Sequence, residues 1–177
     1  MRSKNAIFVS LTAVFAAMYA VGVIVLGPIS FLPIQVRVAD ALLPLAIIFG
    51  WPAVLGLSIG AFVANFFGGL GAVDIIGGSL ANFIATFVAW RIGRNRSKPW
   101  QLLGVGIEIV VITLIVGTYL TYVFGFPLAW VGVFIGSVIA IGILGSILLF
   151  ALSRERVTRM LKSYGLDPQS SGSKVKD

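Results

Sequence analysis

The chain has 177 residues, of which 59% are hydrophobic and 11% charged, and its formal net charge is +7. Soluble domains carry about a quarter charged residues, so this composition excludes a soluble domain and indicates a single integral membrane domain. Cysteine and histidine are both absent, which excludes disulfides and imidazole-dependent catalysis and removes most metal sites, so we expect no enzyme activity and no cofactor.

Long apolar runs divided by glycine and proline predict the helices in chain order. Residues 6–26 form a run of 21 uncharged residues, which fits a transmembrane helix of about 20 residues better than the shorter apolar region of a signal peptide. The later runs predict five more helices. The second covers residues 38 to about 49, the third ends at 67, the fourth covers 74–90, the fifth covers roughly 101–124, and the sixth ends near 152. Residues 1–165 are thus the predicted membrane domain, and the polar, Ser- and Gly-rich residues 166–177 are expected to be disordered.

The distribution of lysine and arginine decides whether residues 38–67 cross the membrane once or twice. With a cytoplasmic N-terminus, one crossing places the basic loop at residues 91–98 outside, whereas two crossings place it inside. Two crossings give six transmembrane helices, cytoplasmic N- and C-termini, and 12 of the 13 basic residues inside, leaving only Arg37 outside. We therefore predict six helices, and because the basic groups follow this pattern we do not expect nucleic-acid binding.

The second predicted helix, residues 38–49, is unusually short. Its 12 residues span about 18 Å at 1.5 Å per residue, which is less than the roughly 30 Å of hydrocarbon in a bilayer. We therefore expect neighbouring helices or the preceding loop to shelter this helix, and a cavity to lie at its outer end.

The strongest candidates for a binding site are polar groups within the apolar region. Between residues 38 and 90 the only charged residues are Asp40 and Asp74, and Gln35 and Arg37 stand just before them. An ionisable group at membrane depth costs a few kcal/mol and typically faces a cavity, a partner or a substrate. Arg37 lies about one helical turn from Asp40, so the two can pair or face one pocket. Two simpler interpretations stay open: Arg37 extends to the membrane interface, and Asp74 only caps the fourth helix.

The fourth predicted helix carries two further candidates, Ser79 and Asn82. One face of this helix continues from Asp74 through mainly small residues, which allow another helix or a flat ligand to approach closely. Ser79 and Asn82 supply hydrogen-bonding groups for a ligand on this stretch, or they serve helix packing alone.

Glu108 is the only charged residue within the fifth predicted helix. Tyr119 and Tyr122 follow it by 11 and 14 residues, which are close to whole numbers of helical turns, so the three are predicted to share a face. A buried carboxylate is costly. This cost favours a role for Glu108 in the binding site or in the coupling of that site to an energy source, rather than a role as a neutral side chain that only packs.

The first predicted helix carries small residues along one face, at Ala13, Ala17 and Ala20. Small side chains at this spacing allow a second helix to approach closely. That second helix belongs either to the same chain or to a partner.

Three segments resemble the QueT family: residues 28–44 (PISFLPIQVRVADALLP), 56–60 (GLSIG) and 74–81 (DIIGGSLA). Members of this family are substrate-capture (S) components of energy-coupling-factor vitamin transporters and are associated with queuosine precursors. The resemblance extends over about residues 1–153. It implies a small-molecule substrate, a transmembrane coupling subunit that docks on the alanine face of the first helix, and a pair of ATPase subunits.

Two positions depart from the family pattern. The family favours Glu where this chain has Asp40, and it carries an acidic residue in the sixth helix where this chain has Gly136 and Ser137. Glu108 is a candidate to replace that second charge from another helix.

Together, the residues and the resemblance predict a multi-pass cell-membrane protein, surrounded by lipid, that captures a small, flat, nitrogen-rich solute outside, such as a 7-deazaguanine. Residues 27–36 would act as a lid and residues 68–73 as the opposite wall. The sequence has no GxxxxGK[ST] motif, so the energy would come from partner ATPases. The alternative is a self-sufficient secondary transporter or channel that uses Asp40, Asp74 and Glu108 as proton or cation relays.

Overall fold

Six helices make up most of the protein in this computed structural model, which describes residues 4–27, 37–154 and 159. They are α1 (Lys4–Val25), α2 (Val38–Phe49), α3 (Trp51–Gly68), α4 (Ala72–Gly93), α5 (Lys98–Tyr122) and α6 (Ala129–Leu152). All but α2 are long and apolar enough to cross a membrane, and the described residues form no strand. The predicted all-α class and the six helices are confirmed. The polar tail at residues 166–177 lies outside the described residues.

Glycine and proline set the helix boundaries, as the sequence predicts. Gly50 separates α2 from α3 with φ 64° and ψ −138°, a conformation that is open mainly to glycine. Pro52 follows in the first turn of α3, where its missing N–H leaves no hydrogen bond unmade. Residues 38–67 therefore form two helices rather than one.

Helix α2 lies at the centre of the bundle. Its first part, Val38–Leu45, is a 3-10 helix and its last part, Ala46–Phe49, is an α-helical turn. Because a 3-10 helix rises about 2.0 Å per residue, α2 spans about 22 Å, still short of the roughly 30 Å hydrocarbon layer. It contacts all five long helices, and most of its residues are buried. The expectation that neighbours shelter this helix is confirmed.

Helices α1 and α3 pack closely through two glycines of α3. A Cβ atom on Gly56 would lie 2.6 Å from the carbonyl oxygen of Thr12, and one on Gly60 would lie 2.7 Å from that of Ala16. Both distances are too short for real contacts, so the two backbones can approach only because these side chains are absent. The close approach also brings Tyr19 of α1 into the interior, where it is fully buried.

We expect Gly60→Ala to lower the thermal midpoint of the purified protein, because the added methyl group overpacks the α1–α3 contact, which typically costs about 1–3 kcal/mol. Gly106→Ala is the matched control, since this helical glycine of α5 has nothing within 4 Å of its Cβ position. Equal midpoints for the two variants in the same detergent would contradict the packing described.

Helix α6 has an irregular middle. Its α-helical ends, Ala129–Ser137 and Ser146–Leu152, flank a π-helical stretch at Val138–Gly145. This stretch packs on the 3-10 part of α2, and a Cβ on Gly145 would lie 2.8 Å from Cγ of Pro44. The two irregular helices therefore meet in the interior, and π-helical turns are found frequently at functional sites.

The two ends of the bundle differ in charge. Successive helices run in alternating directions, so the starts of α2 and α4 lie beside the ends of α1 and α5. Asp40 and Asp74 belong to this end, which we call the carboxylate end. The loop at residues 91–98 belongs to the opposite end, which we call the basic end. Which end faces the cytoplasm stays a prediction, because it rests on the positive-inside rule.

Single cysteines test this orientation, since the chain contains none. We expect a cysteine at Ala72, an exposed residue of the carboxylate end, to react in intact cells with a membrane-impermeant thiol reagent. Cysteines at Ser3, Ser97 and Ser170 should react only after the membrane is opened. Labelling at Ser97 from outside would contradict the six-helix topology. Ala72 is preferable to Gly71, whose φ of 93° disfavours a side chain.

Candidate functional site

A small polar cavity opens among four helices near the carboxylate end. Its volume is about 20 Å³, which is room for about one water molecule. The described residues that line it come from α2, α4, α5 and α6, and from the residue just before α2. Three of the side chains are aliphatic and four are polar: Ile112, Val116 and Val133, and Arg37, Asp40, Asn82 and Ser137. A cavity is therefore present at the start of α2, and that this end is the outer one stays a prediction. Ligand sites are typically about 300–1,000 Å³, so a purine-sized ligand requires this cavity to open.

Tyr19 holds the first carboxylate of the cavity. Its hydroxyl donates a hydrogen bond of 2.6 Å to Oδ1 of Asp40, and both residues are buried. The bond joins α1 to α2 across 21 residues of sequence. A charge-assisted bond of this kind is worth about 1.5–3 kcal/mol, so it fixes both the carboxylate and the approach of α1.

Tyr119 holds the other buried aspartate, Asp74, in the same way, although Asp74 is not among the residues that line the cavity. Its hydroxyl donates to Oδ1 of Asp74 at 2.8 Å, and Asn65 of α3 donates to the backbone carbonyl of Asp74, also at 2.8 Å. Asp74 is the third residue of α4, whose N-cap is Gly71, so the interpretation of Asp74 as the cap is wrong. Among the described residues, Oδ2 of Asp74 has no hydrogen-bond partner, which leaves one carboxylate oxygen for a donor from a ligand.

Arg37 connects the two tyrosine–carboxylate pairs. Its guanidinium interacts electrostatically with Tyr19, Asp40, Tyr119 and Asp74, and its side chain is only 7% exposed. The alternative in which Arg37 extends to the membrane interface disagrees with this burial. The cation and both carboxylates thus share one buried region, as the spacing of Arg37 and Asp40 predicts.

Glu108 lies deeper than the cavity. It follows Lys98, the first residue of α5, by ten positions, or about 15 Å along the helix axis, which places it near the middle of the bundle. It is fully buried, and neither carboxylate oxygen has a hydrogen-bond partner among the described residues. It interacts electrostatically with Asp40 but does not line the cavity. A carboxylate with no partner is among the most costly groups in an apolar interior.

The two polar residues predicted on α4 lie in different places. Asn82 is buried, lines the cavity, and donates to the backbone carbonyl of Leu57 at 3.4 Å. It also lies beside the Tyr19 hydroxyl. Ser79 instead donates to the carbonyl of Ile76 in its own helix and is partly exposed. The structure brings Asn82 to the site and leaves Ser79 away from it.

Of the two predicted tyrosines, only Tyr119 reaches the site. Tyr122 is 78% exposed, since it is the last residue of α5 and lies about 60° around the helix from Tyr119. Gln35 lies outside the described residues, as do residues 28–36 of the predicted lid.

We expect Tyr119→Phe to lower the thermal midpoint of the purified protein, because the buried Oδ1 of Asp74 loses its donor, at a cost of about 1–3 kcal/mol. Tyr122→Phe removes the same hydroxyl from the same helix at an exposed position, so it should leave the midpoint unchanged. A Tyr119→Phe protein as stable as the Tyr122→Phe control would contradict the structural role of this hydrogen bond.

The three alanines predicted as a docking face do not all point the same way. Ala13 and Ala17 are exposed, whereas Ala20 is buried. Around the first two lie large exposed apolar side chains of α1, which are Val9, Val14, Met18 and Val21. Of the three alanines, Ala13 and Ala17 lie on the outward face of α1, whereas Ala20 turns toward the interior of the bundle.

Three polar residues of the site are additions to the sequence prediction: Tyr19, Asn65 and Ser137. Tyr19 is the single tyrosine in the first apolar run, which was a usable signal. Asn65 is the one amide in α3, again a polar group in an apolar helix. Ser137 lines the cavity from α6. The described residues contain no cluster of three or more potential metal ligands.

Comparison with known proteins gives one family. The family model described as QueT transporter matches residues 9–154, which is most of the chain and includes every residue of the cavity. No curated protein and no solved structure gives a significant match.

Proposed function

Because this chain belongs to the QueT transporter family, we propose that it is the substrate-capture component of an energy-coupling-factor importer for a queuosine precursor. Membership of a transporter family and five helices of membrane length make it a multi-pass membrane transporter with a small-molecule substrate. The coupling mode, the substrate and the location in the cell membrane are the parts that we propose. A transporter family also fits the expectation of no enzyme activity.

The paired tyrosine–carboxylate contacts around Arg37 are the observation that carries the proposal for the substrate. The edge of a guanine-type ring presents an N–H and an amino group side by side, which one carboxylate accepts together, while the ring carbonyl needs a donor such as Arg37. Asp40 and Arg37 both line the cavity, so this pair suits a guanine-type edge.

The balance of buried charge favours a cationic ligand. The described interior contains three carboxylates, Asp40, Asp74 and Glu108, and one basic side chain, Arg37. A buried charge is tolerated when it is paired, and Arg37, which interacts electrostatically with both Asp40 and Asp74, does not compensate both aspartates. An aminomethyl cation on the ligand would supply a further positive charge, so 7-aminomethyl-7-deazaguanine fits the site better than a neutral deazaguanine.

Aromatic rings beside the carboxylates add a surface for a flat ligand. Tyr119 packs against Phe124 with ring centroids 6.2 Å apart, and its ring lies 3.0 Å from the Cβ position of Gly77. Stacking of a base on an aromatic ring is worth about 1–3 kcal/mol. We propose that the ligand displaces one or both tyrosine hydroxyls and stacks on a freed ring as the cavity opens.

The energy for import would come from partners. The sequence has no GxxxxGK[ST] motif, so this chain lacks the phosphate-binding loop that ATPases of this type use. We propose that a transmembrane coupling subunit docks on the exposed alanine face of α1, at Ala13 and Ala17, and connects the chain to a pair of ATPase subunits.

The most direct test is to identify the small molecule that copurifies with the protein. We expect denaturation of the purified protein to release a 7-deazaguanine with an aminomethyl group, which mass spectrometry identifies. Isothermal titration should then show saturable binding of that compound. A protein that binds neither the aminomethyl nor any other deazaguanine would overturn the proposed substrate.

A second candidate is a self-sufficient, proton- or cation-coupled transporter. The observation that favours it is Glu108, a fully buried carboxylate without a hydrogen-bond partner among the described residues, since such groups also form proton relays. Liposomes that contain only this chain separate the two candidates. Uptake driven by a proton or sodium gradient would favour the second, whereas uptake that requires the coupling subunit, the ATPase pair and ATP would favour the first.

A further inference from the structure

The basic end of the bundle carries a compact group of cations that the transport proposal does not use. Arg91, Arg94, Arg96 and Lys98 all lie within eight residues, and all four are exposed. They occupy the last turn of α4, the short loop and the first residue of α5. We call these four residues the basic loop.

The described surface offers no counter-charge for the basic loop. Residues 4–27 and 37–154 contain three carboxylates, Asp40, Asp74 and Glu108, and all three are buried. The first turn of α5 also lacks an acidic residue, although Lys98 stands there at the positive end of the helix dipole, where a cation is unfavourable. Within the described residues, therefore, no carboxylate pairs with these side chains, and the C-terminal end of α4 favours Arg91 alone through the helix dipole.

Aromatic rings hold three of the cations in place. The guanidinium of Arg94 lies 5.2 Å from the Trp90 ring centroid, and that of Arg96 lies 4.6 Å from the Trp100 ring centroid. The Lys98 ammonium lies 5.8 Å from the ring of Phe150 in α6. Each pair is a cation–π contact, which restrains the cation without neutralising its charge.

The position of these pairs along the bundle is that of lipid headgroups. Trp51 and Trp100 are 41% and 46% exposed, and Leu102 and Leu103, one turn further along α5, are each 48% exposed. Tryptophan is enriched at the level where hydrocarbon meets headgroups. The cations therefore lie next to an exposed apolar belt, and we infer that they stand at the level of the phosphate groups.

We propose that the basic loop, together with Trp90 and Trp100, is a binding site for the phosphate groups of anionic phospholipids. Cations near a membrane surface attract anionic lipid with about 1 kcal/mol each, which corresponds to about fivefold in affinity per cation. An acidic protein segment would pair with these cations equally well. The basic loop is, however, continuous with the exposed apolar belt that faces lipid, which favours lipid as the partner.

Titration of the purified full-length protein with lipid in a neutral detergent tests this site. We expect phosphatidylglycerol to remain bound in native mass spectrometry and to raise the thermal midpoint, whereas phosphatidylcholine at the same concentration should do neither. Arg94→Gln, Arg96→Gln and Lys98→Gln combined should weaken phosphatidylglycerol binding by about fivefold per charge, or up to about a hundredfold.

The matched control keeps the charges. Arg94→Lys combined with Arg96→Lys should retain most of the affinity, because a lysine still attracts phosphate. Equal binding of the two lipids, or unchanged phosphatidylglycerol binding by the triple glutamine variant, would overturn the proposal. Displacement of the lipid by a soluble polyglutamate peptide at stoichiometric concentration would assign the loop to an acidic protein partner instead, and would overturn it too.

Discussion

Asp40→Asn and Asp74→Asn are each expected to weaken binding of 7-aminomethyl-7-deazaguanine at least tenfold. Each substitution removes a negative charge from a buried position, where a charge-assisted hydrogen bond contributes about 1.5–3 kcal/mol, or about 10–150-fold in affinity. Isothermal titration of the purified variants measures the effect. The asparagine carbonyl can still accept the hydroxyl of Tyr19 or Tyr119, so we expect the variants to fold.

Asp167→Asn is the control for these two variants. Asp167 belongs to the predicted polar tail, and the same change of charge there should leave the affinity unaltered. If Asp40→Asn and Asp74→Asn both bind the deazaguanine as tightly as the parent, the cavity beside Arg37 is not the substrate site, whatever the family transports.

Ala17→Trp is expected to abolish assembly with the coupling subunit while the isolated protein keeps its ligand affinity. Ala17 is exposed on the outward face of α1, and close contact between membrane helices tolerates little more than an alanine at such a position. Tyr19, two residues later, turns inward to Asp40, so a bulky residue at Ala17 points away from the cavity. Copurification from cells that express the coupling subunit and both ATPases measures assembly.

Two further alanines control for the size of tryptophan. Ala151→Trp places the same bulk at an exposed position of α6, and we expect the complex to form normally. Ala20→Trp places it in the interior, where it should destabilise the whole protein and abolish ligand binding as well. An intact complex from Ala17→Trp would show that the coupling subunit docks elsewhere.

The helices themselves were predictable from the sequence because the bilayer imposes one length and one polarity on every span. Apolar runs gave the number of helices, Gly50 and Pro52 gave the division between α2 and α3, and the basic residues selected six helices over five. The 3-10 form of α2 and the π-helical stretch of α6 could not be predicted in this way. They meet where Pro44 lies against Gly145, and a local sequence does not contain a contact between residues so far apart.

The site was predictable to the extent that a polar side chain in an apolar span is conspicuous. Arg37, Asp40 and Asn82 line the cavity, and each is a polar residue in or beside an apolar helix. Tyrosine carries a weaker signal, because it occurs routinely at membrane interfaces. The sequence pattern therefore does not single out Tyr19, and it groups Tyr122 with Tyr119 although the two lie at different angles around the end of α5.

Synthesis of the chain delivers α2 to the membrane long before its main neighbour exists, since Pro44 precedes Gly145 by about a hundred residues. At that stage α2 is too short to cross the hydrocarbon layer, and insertion of an aspartate such as Asp40 costs about 2.5–3.5 kcal/mol at a helix centre. The emerging α2 can pack on α1, α3, α4 and α5 but lacks the partner of its 3-10 part until α6 is made. A nascent chain that stops after α5 should therefore leave the Pro44 side of α2 uncovered, so the final packing of α2 depends on the last helix to be made.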